Sequence, residues 1–157
     1  EPTRDLILRS ISYHNRAALP QEETEECLFF TKLLRDADKL DIWKVVTDYY
    51  RRKERRRNVA IELGLPDTPG VSGKVYESLM RKEIVDAGHL TNLNDFKLLQ
   101  IGWIYSINFA PTFNRIEERK YLDIIRDYLP RTELVDNIFS VVESYLYERI
   151  GLERTGT

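Results

Sequence analysis

Three aspartates fall inside six residues of the stretch "LLRDADKLDIW", Leu33 to Trp43, which otherwise reads as an apolar helix. At about 100° per residue, with Leu34 as the reference direction, Ile42, Val45 and Tyr49 fall on one flank and Leu33, Ala37 and Leu40 on the other. Asp38 and Asp41 project into the middle of that arc. Asp36 points the opposite way, near Lys32, Lys39 and Trp43. The expectation is therefore a solvated Asp36 and two partly buried carboxylates, Asp38 and Asp41. A buried carboxylate costs several kcal/mol unless it is paired, hydrogen-bonded or neutralised. A basic partner such as Arg35, a set of N–H donors, or a metal ion could each compensate it. His14 shares a helical stripe with Ile7 and Ile11, so it too is expected to face inward. An imidazole with one or two carboxylates suits Mn, Fe, Zn or Mg. Two or three ligands are still too few for a closed site, and a buried salt bridge with a hydrogen-bonded core histidine accounts for the same pattern.

The elements that would position these groups are helical. The chain has only seven glycines and six prolines, and they cluster at breaks. Helical spacing runs from Arg4 to about Arg16, and from the acidic Glu22–Glu26 run to Tyr50 or beyond. Negative charge at that second start complements the helix dipole. "GLPDTPGVSGK", Gly64 to Lys74, is a loop, with a short helix following Ser72. Thr91 or Asn94 is a candidate N-cap for a helix from Phe96 to Phe109, apolar almost all round and hence the most buried, with Pro111 as its stop. An amphipathic helix capped by Thr112 or Asn114 then runs to Pro130. Thr132 caps a last helix that Gly151 would end. No strand is indicated. The expected fold is all-α, a bundle of about six helices, in one domain over 1–150 with a flexible tail at 151–157.

At 157 residues a single core needs no disulfide or metal staple. The net charge of −2 gives no general drive towards nucleic acid or an anionic membrane. Cys27 is the one cysteine, which fits a reducing cytoplasm. No apolar run reaches the ~18 residues of a membrane span.

"ISYHNRAALP" followed by "LLRDADKLDIW" resembles the second half of an HD-domain metal-dependent phosphohydrolase, and "WIYSINFAPTF" is similar to the helical tail of one HD subgroup. The resemblance implies an all-α bundle that hydrolyses a phosphate ester or nucleotide with a divalent ion (Mn, Fe, Mg or Zn). It places Asp38 as the last metal ligand and His14 beside the metal or the phosphate. Asp41 would orient a ligand from behind, and Arg35 and Lys39 are candidates for phosphate contact, although Lys39 is expected to face away from the apolar arc. The family also uses an earlier histidine and a His-Asp doublet on preceding helices. This chain has only His14 and His89 and no such doublet. The resemblance therefore covers the C-terminal portion of an HD domain, with the N-terminal helices expected to lie before Glu1.

The other function class is a metal-free all-α binding module derived from the same scaffold. "YYRRKERRRN", Tyr49 to Asn58, could meet phosphates of a nucleic acid, but a solvated helix end explains it as well, so nucleic acid is disfavoured. "GVSGK" fails the phosphate-loop template, because Thr68 stands where its first glycine would be and Val75 follows Lys74. Cys27 sits among glutamates, a poor setting for a thiolate. A surface cluster among the tyrosines and tryptophans would mark a homodimer contact.

Overall fold

The longest helix, α2 (Glu25–Arg51), organises the molecule. Thr24 starts it by accepting from the Cys27 amide at 3.2 Å, and Glu25 and Glu26 occupy the first turn, where the dipole favours them. The computed structural model describes residues 2–16, 18–52 and 56–154. Before α2 comes α1 (Pro2–Tyr13), which folds back on its N-terminal half. After it come α3 (Val59–Glu62), α4 (Gly73–Met80), α5 (Leu93–Gly102), α6 (Ala110–Glu118), α7 (Tyr121–Arg126) and α8 (Glu133–Arg154). Short 3₁₀ turns lie at Ala87–His89 and Trp103–Ser106. Among the described residues there is no strand, so the chain is all-α, with eight α-helices rather than about six.

The core forms around α5, of which every residue is buried. Its polar side chains find partners inside, the buried Gln100 Nε2 excepted. Asn94 donates to the Gly70 carbonyl at 3.2 Å, Lys97 to the Tyr128 carbonyl at 2.9 Å, and the Gln100 amide oxygen accepts from the Tyr50 hydroxyl at 3.1 Å. Trp43, fully buried on α2, donates its indole N–H to the Gln100 carbonyl at 3.0 Å. Asp95 accepts from the backbone and hydroxyl of both Ser72 and Thr91, which ties the 64–74 loop to the start of α5. Burial alone would raise its pKa. The Ser72 and Thr91 bonds outweigh that and hold it below the usual carboxylate value.

The helix expected over Phe96–Phe109 ends early, for tertiary reasons. At Gly102 a Cβ would stand 2.9 Å from Leu79 Cδ2, so α4 and α5 cross at a distance only glycine allows. Beyond the 3₁₀ turn, the amides of Asn108 and Phe109 are drawn to a side chain of α2 instead of helical carbonyls. Pro111 does not stop that helix. It sits in the first turn of α6, where a missing N–H costs nothing, so neither Thr112 nor Asn114 is a cap. The amphipathic run after it is split by Lys120, whose φ of 55° separates α6 from α7. The cap of α5 is Asn92, which accepts from the Asp95 amide at 3.0 Å. Thr132 caps α8 as expected, accepting from Val135 at 3.3 Å. Gly151 does not end α8. The helix continues to Arg154, and residues 155–157 lie outside those described.

Candidate functional site

α2 turns a different face inward from the one expected. Asp36 is the buried carboxylate, 2% exposed, on the stripe with Trp43, Thr47 and Tyr50. It accepts from the Asn108 amide at 3.0 and 3.2 Å, from Asn108 Nδ2 at 2.9 Å and from the Phe109 amide at 3.0 Å. Four donor contacts replace the water it lost, and its charge lies at the entry to α6, where the dipole favours an anion. Asp41 is exposed, and the side chain of Asp38 is about one-third exposed. The expected pair is therefore corrected: Asp36 is buried, Asp41 is at the surface and Asp38 stands at the boundary. The apolar arc that suggested otherwise is a stripe left open. Leu33 and Val45 are about half exposed, at 47% and 49%.

On one side of α2, the end of α1, the segment Ile84–Ala87 and Trp103 enclose a pocket of about 470 Å³. His14, Asn15, Arg16, Arg35, Lys39, Asp86 and Ser106 line it, so three of the sequence-derived candidates, His14, Arg35 and Lys39, come together there. His14 Nδ1 lies 2.6 Å from the Ile11 carbonyl, which can only accept. Nδ1 therefore carries the hydrogen, and in the neutral ring Nε2 is the nitrogen with the lone pair. Arg35 donates to the Arg16 carbonyl at 3.1 Å and holds the loop after α1 against α2. α1 itself is anchored by an Arg9–Glu23 ion pair and by Ser10 against the buried Cys27 sulfur at 3.9 Å.

Lys39 faces this pocket. Its ammonium lies 4.7 Å from the centre of the Trp103 ring and 3.7 Å from an Asp38 carboxylate oxygen. Burial pulls its pKa below the usual lysine value; Asp38 opposes this and the Arg35 charge adds to it. Asp86 is occupied locally, accepting from the Gly88 amide at 2.8 Å. Arg16, Asp86 and Trp103 were missed in the sequence because they come from separate segments. The one available signal was the Asp36–Trp43–Tyr50 heptad spacing, which marks the true inward face.

The donors present do not by themselves fit a divalent ion. His14 and Asp38 are two, and among the described residues no three His, Cys, Asp or Glu side chains form a metal-holding group.

On another face, α1 and α2 leave an apolar groove of about 610 Å³ lined by Leu6, Ile7, Ile11, Phe30, Leu33, Leu34 and Ala37. The remaining sequence signals resolve as structure. Gly64–Lys74 is a connector tied down by Asp95. Arg57 bonds Glu62 at 2.7 Å and the Leu65 carbonyl at 2.7 Å. Lys53, Glu54 and Arg55 of the basic run lie outside the described residues. No helix among the described residues is long and apolar enough to cross a membrane. Comparison with protein-family models, curated proteins and solved structures finds no match to this chain.

Proposed function

We propose that the chain is the C-terminal part of an HD-type metal-dependent phosphohydrolase acting on a phosphate ester or nucleotide. The observation that carries this reading is the convergence of His14, Arg35 and Lys39 in one pocket, with Asp38 3.7 Å from the Lys39 ammonium. Arg35 and Lys39 supply positive charge for a phosphoryl oxygen. His14, with Nδ1–H fixed on Ile11, offers Nε2 to accept or return a proton, or to bind a metal. Asp38 supplies a carboxylate that already contacts a cation. A divalent ion, when bound, would polarise the phosphate and acidify a water. Asp38 and His14 cannot hold the ion alone, so a bound ion would need further ligands.

The test is elemental analysis of the native protein. The expected result is a stoichiometric divalent ion, lost in Asp38→Ala. Full occupancy in Asp38→Ala overturns the assignment.

A second reading, a metal-free interaction module, is favoured by the open stripe on α1 and α2, where Ile7, Leu8, Ile11, Phe29, Phe30, Leu33 and Val45 are each 41–55% exposed. An area of this kind on a stable protein marks a contact surface. A native protein free of metal, with unchanged properties in Asp38→Ala, would bring this reading forward.

A further inference from the structure

We propose that the pocket beside Lys39 holds a phosphate monoester through Arg16, Arg35 and Lys39 without any metal; the choice of phosphate among anions rests on the phosphohydrolase reading. Two segments of chain bring three cations to one concavity. Arg35 and Lys39 are four residues apart on α2, so their charges repel, and both are partly withdrawn from water. Their acids are too few. Asp38 touches Lys39 but does not line the pocket, and Asp86, which does, accepts from the Gly88 amide. A dianion relieves the repulsion and replaces the water Lys39 has lost, which is where charge-assisted hydrogen bonds are strongest. A volume of about 470 Å³ exceeds a phosphate ion and leaves room for an ester group against Ile84 and Val85. The Trp103 ring is not a free stacking platform, because Lys39 covers it and Trp43 lies 6.1 Å from it. The pocket thus reads the phosphate end and selects little in the rest of the ligand.

The experiment is calorimetric titration of the full chain with inorganic phosphate and with phenyl phosphate, in EDTA, at fixed ionic strength made up with chloride. Saturable one-to-one binding is expected for both, tighter for the ester. It should weaken on the order of ten- to a hundredfold in Lys39→Met and in Arg35→Gln. Arg16→Ala, in a surface loop, keeps the test valid if an α2 variant fails to fold, and should weaken binding by a smaller factor. Absence of saturable binding in EDTA, or affinities that the variants leave unchanged, overturns the proposal. Binding that requires an added divalent ion overturns it too, while leaving the phosphohydrolase reading standing. Conversely, binding in EDTA with full metal occupancy in Asp38→Ala would refute that reading and leave this inference intact.

Discussion

The two faces of α2 meet fates opposite to what their polarity suggests. One face holds Asp36, Trp43, Thr47 and Tyr50, all within a few per cent of full burial. The other holds Phe30, Leu33 and Val45, each left roughly half in water. A carboxylate lies deep and a row of hydrophobes lies at the surface. What decides is the supply of partners. Asp36 meets donors from Asn108 and Phe109, which themselves need an acceptor to leave the helix. In the apolar row, Phe30 and Leu33 line the open groove beside α1.

The largest effect that would break this contrast is at Asp36. Asp36→Ala leaves the Asn108 and Phe109 amides without an acceptor and should cost about 2–4 kcal/mol. Asp41→Ala, on the exposed side, should stay within about 0.5 kcal/mol. Urea unfolding of both variants measures the difference, and equal losses would show that burial does not separate them.

Gly102→Ala sharpens the account of why α5 stops. The added Cβ meets Leu79 Cδ2 at 2.9 Å and Val85 Cγ2 at 3.4 Å, so the buried Leu79 side chain must shift. A loss of about 1–3 kcal/mol is expected in the same assay.

Acid titration tests the buried Asp95 carboxylate. The folded pKa of Asp95 is depressed, so its contribution is complete above the unfolded aspartate value of ~3.9 and is lost as pH falls through the folded one. Asp95→Asn should therefore flatten the stability profile below about pH 4. An unchanged slope would contradict the Ser72 and Thr91 hydrogen-bond assignment.

For Lys39 the slope has the same sign but the window lies below the usual lysine value, so at neutral pH its depressed pKa is destabilising where that of Asp95 is stabilising. Its folded pKa is depressed, so the unfolded chain binds more protons between the folded and unfolded values, and stability rises with pH across that window. Lys39→Met should raise the thermal midpoint at neutral pH while removing a phosphate contact. A lowered midpoint would mean that Lys39 is structural. The smallest change is expected at Leu33→Ser, within about 0.5 kcal/mol, because the side chain is already half in water.

Helical periodicity made the all-α class, the extent of α2, the start of α4 after Ser72 and the Thr132 cap legible in the sequence. It also marked the α5 region as the most buried, since apolar residues there leave no polar face. The break beyond Gly102 was not legible, because Asp36 draws the Asn108 and Phe109 amides from a distant position. Nor was the orientation of α2. Spacing alone cannot tell a stripe that meets the core from one that meets solvent, and the small aliphatics around Leu34 outweighed the single heptad of Asp36, Trp43 and Tyr50. At the candidate site, His14, Arg35 and Lys39 were legible as residues but not as neighbours. Lys39 was placed away from the site because the wrong face had been chosen as inward.

The central claim is that α2 separates a structural carboxylate, Asp36, from a functional one, Asp38. Its most direct test is the rate of phosphate monoester hydrolysis by the native protein and by Asp38→Asn, with the thermal midpoint measured on the same samples. The account predicts that hydrolysis falls by on the order of a thousandfold while the midpoint stays within about 2 °C. Hydrolysis unchanged in Asp38→Asn, or lost only together with the fold, would contradict it.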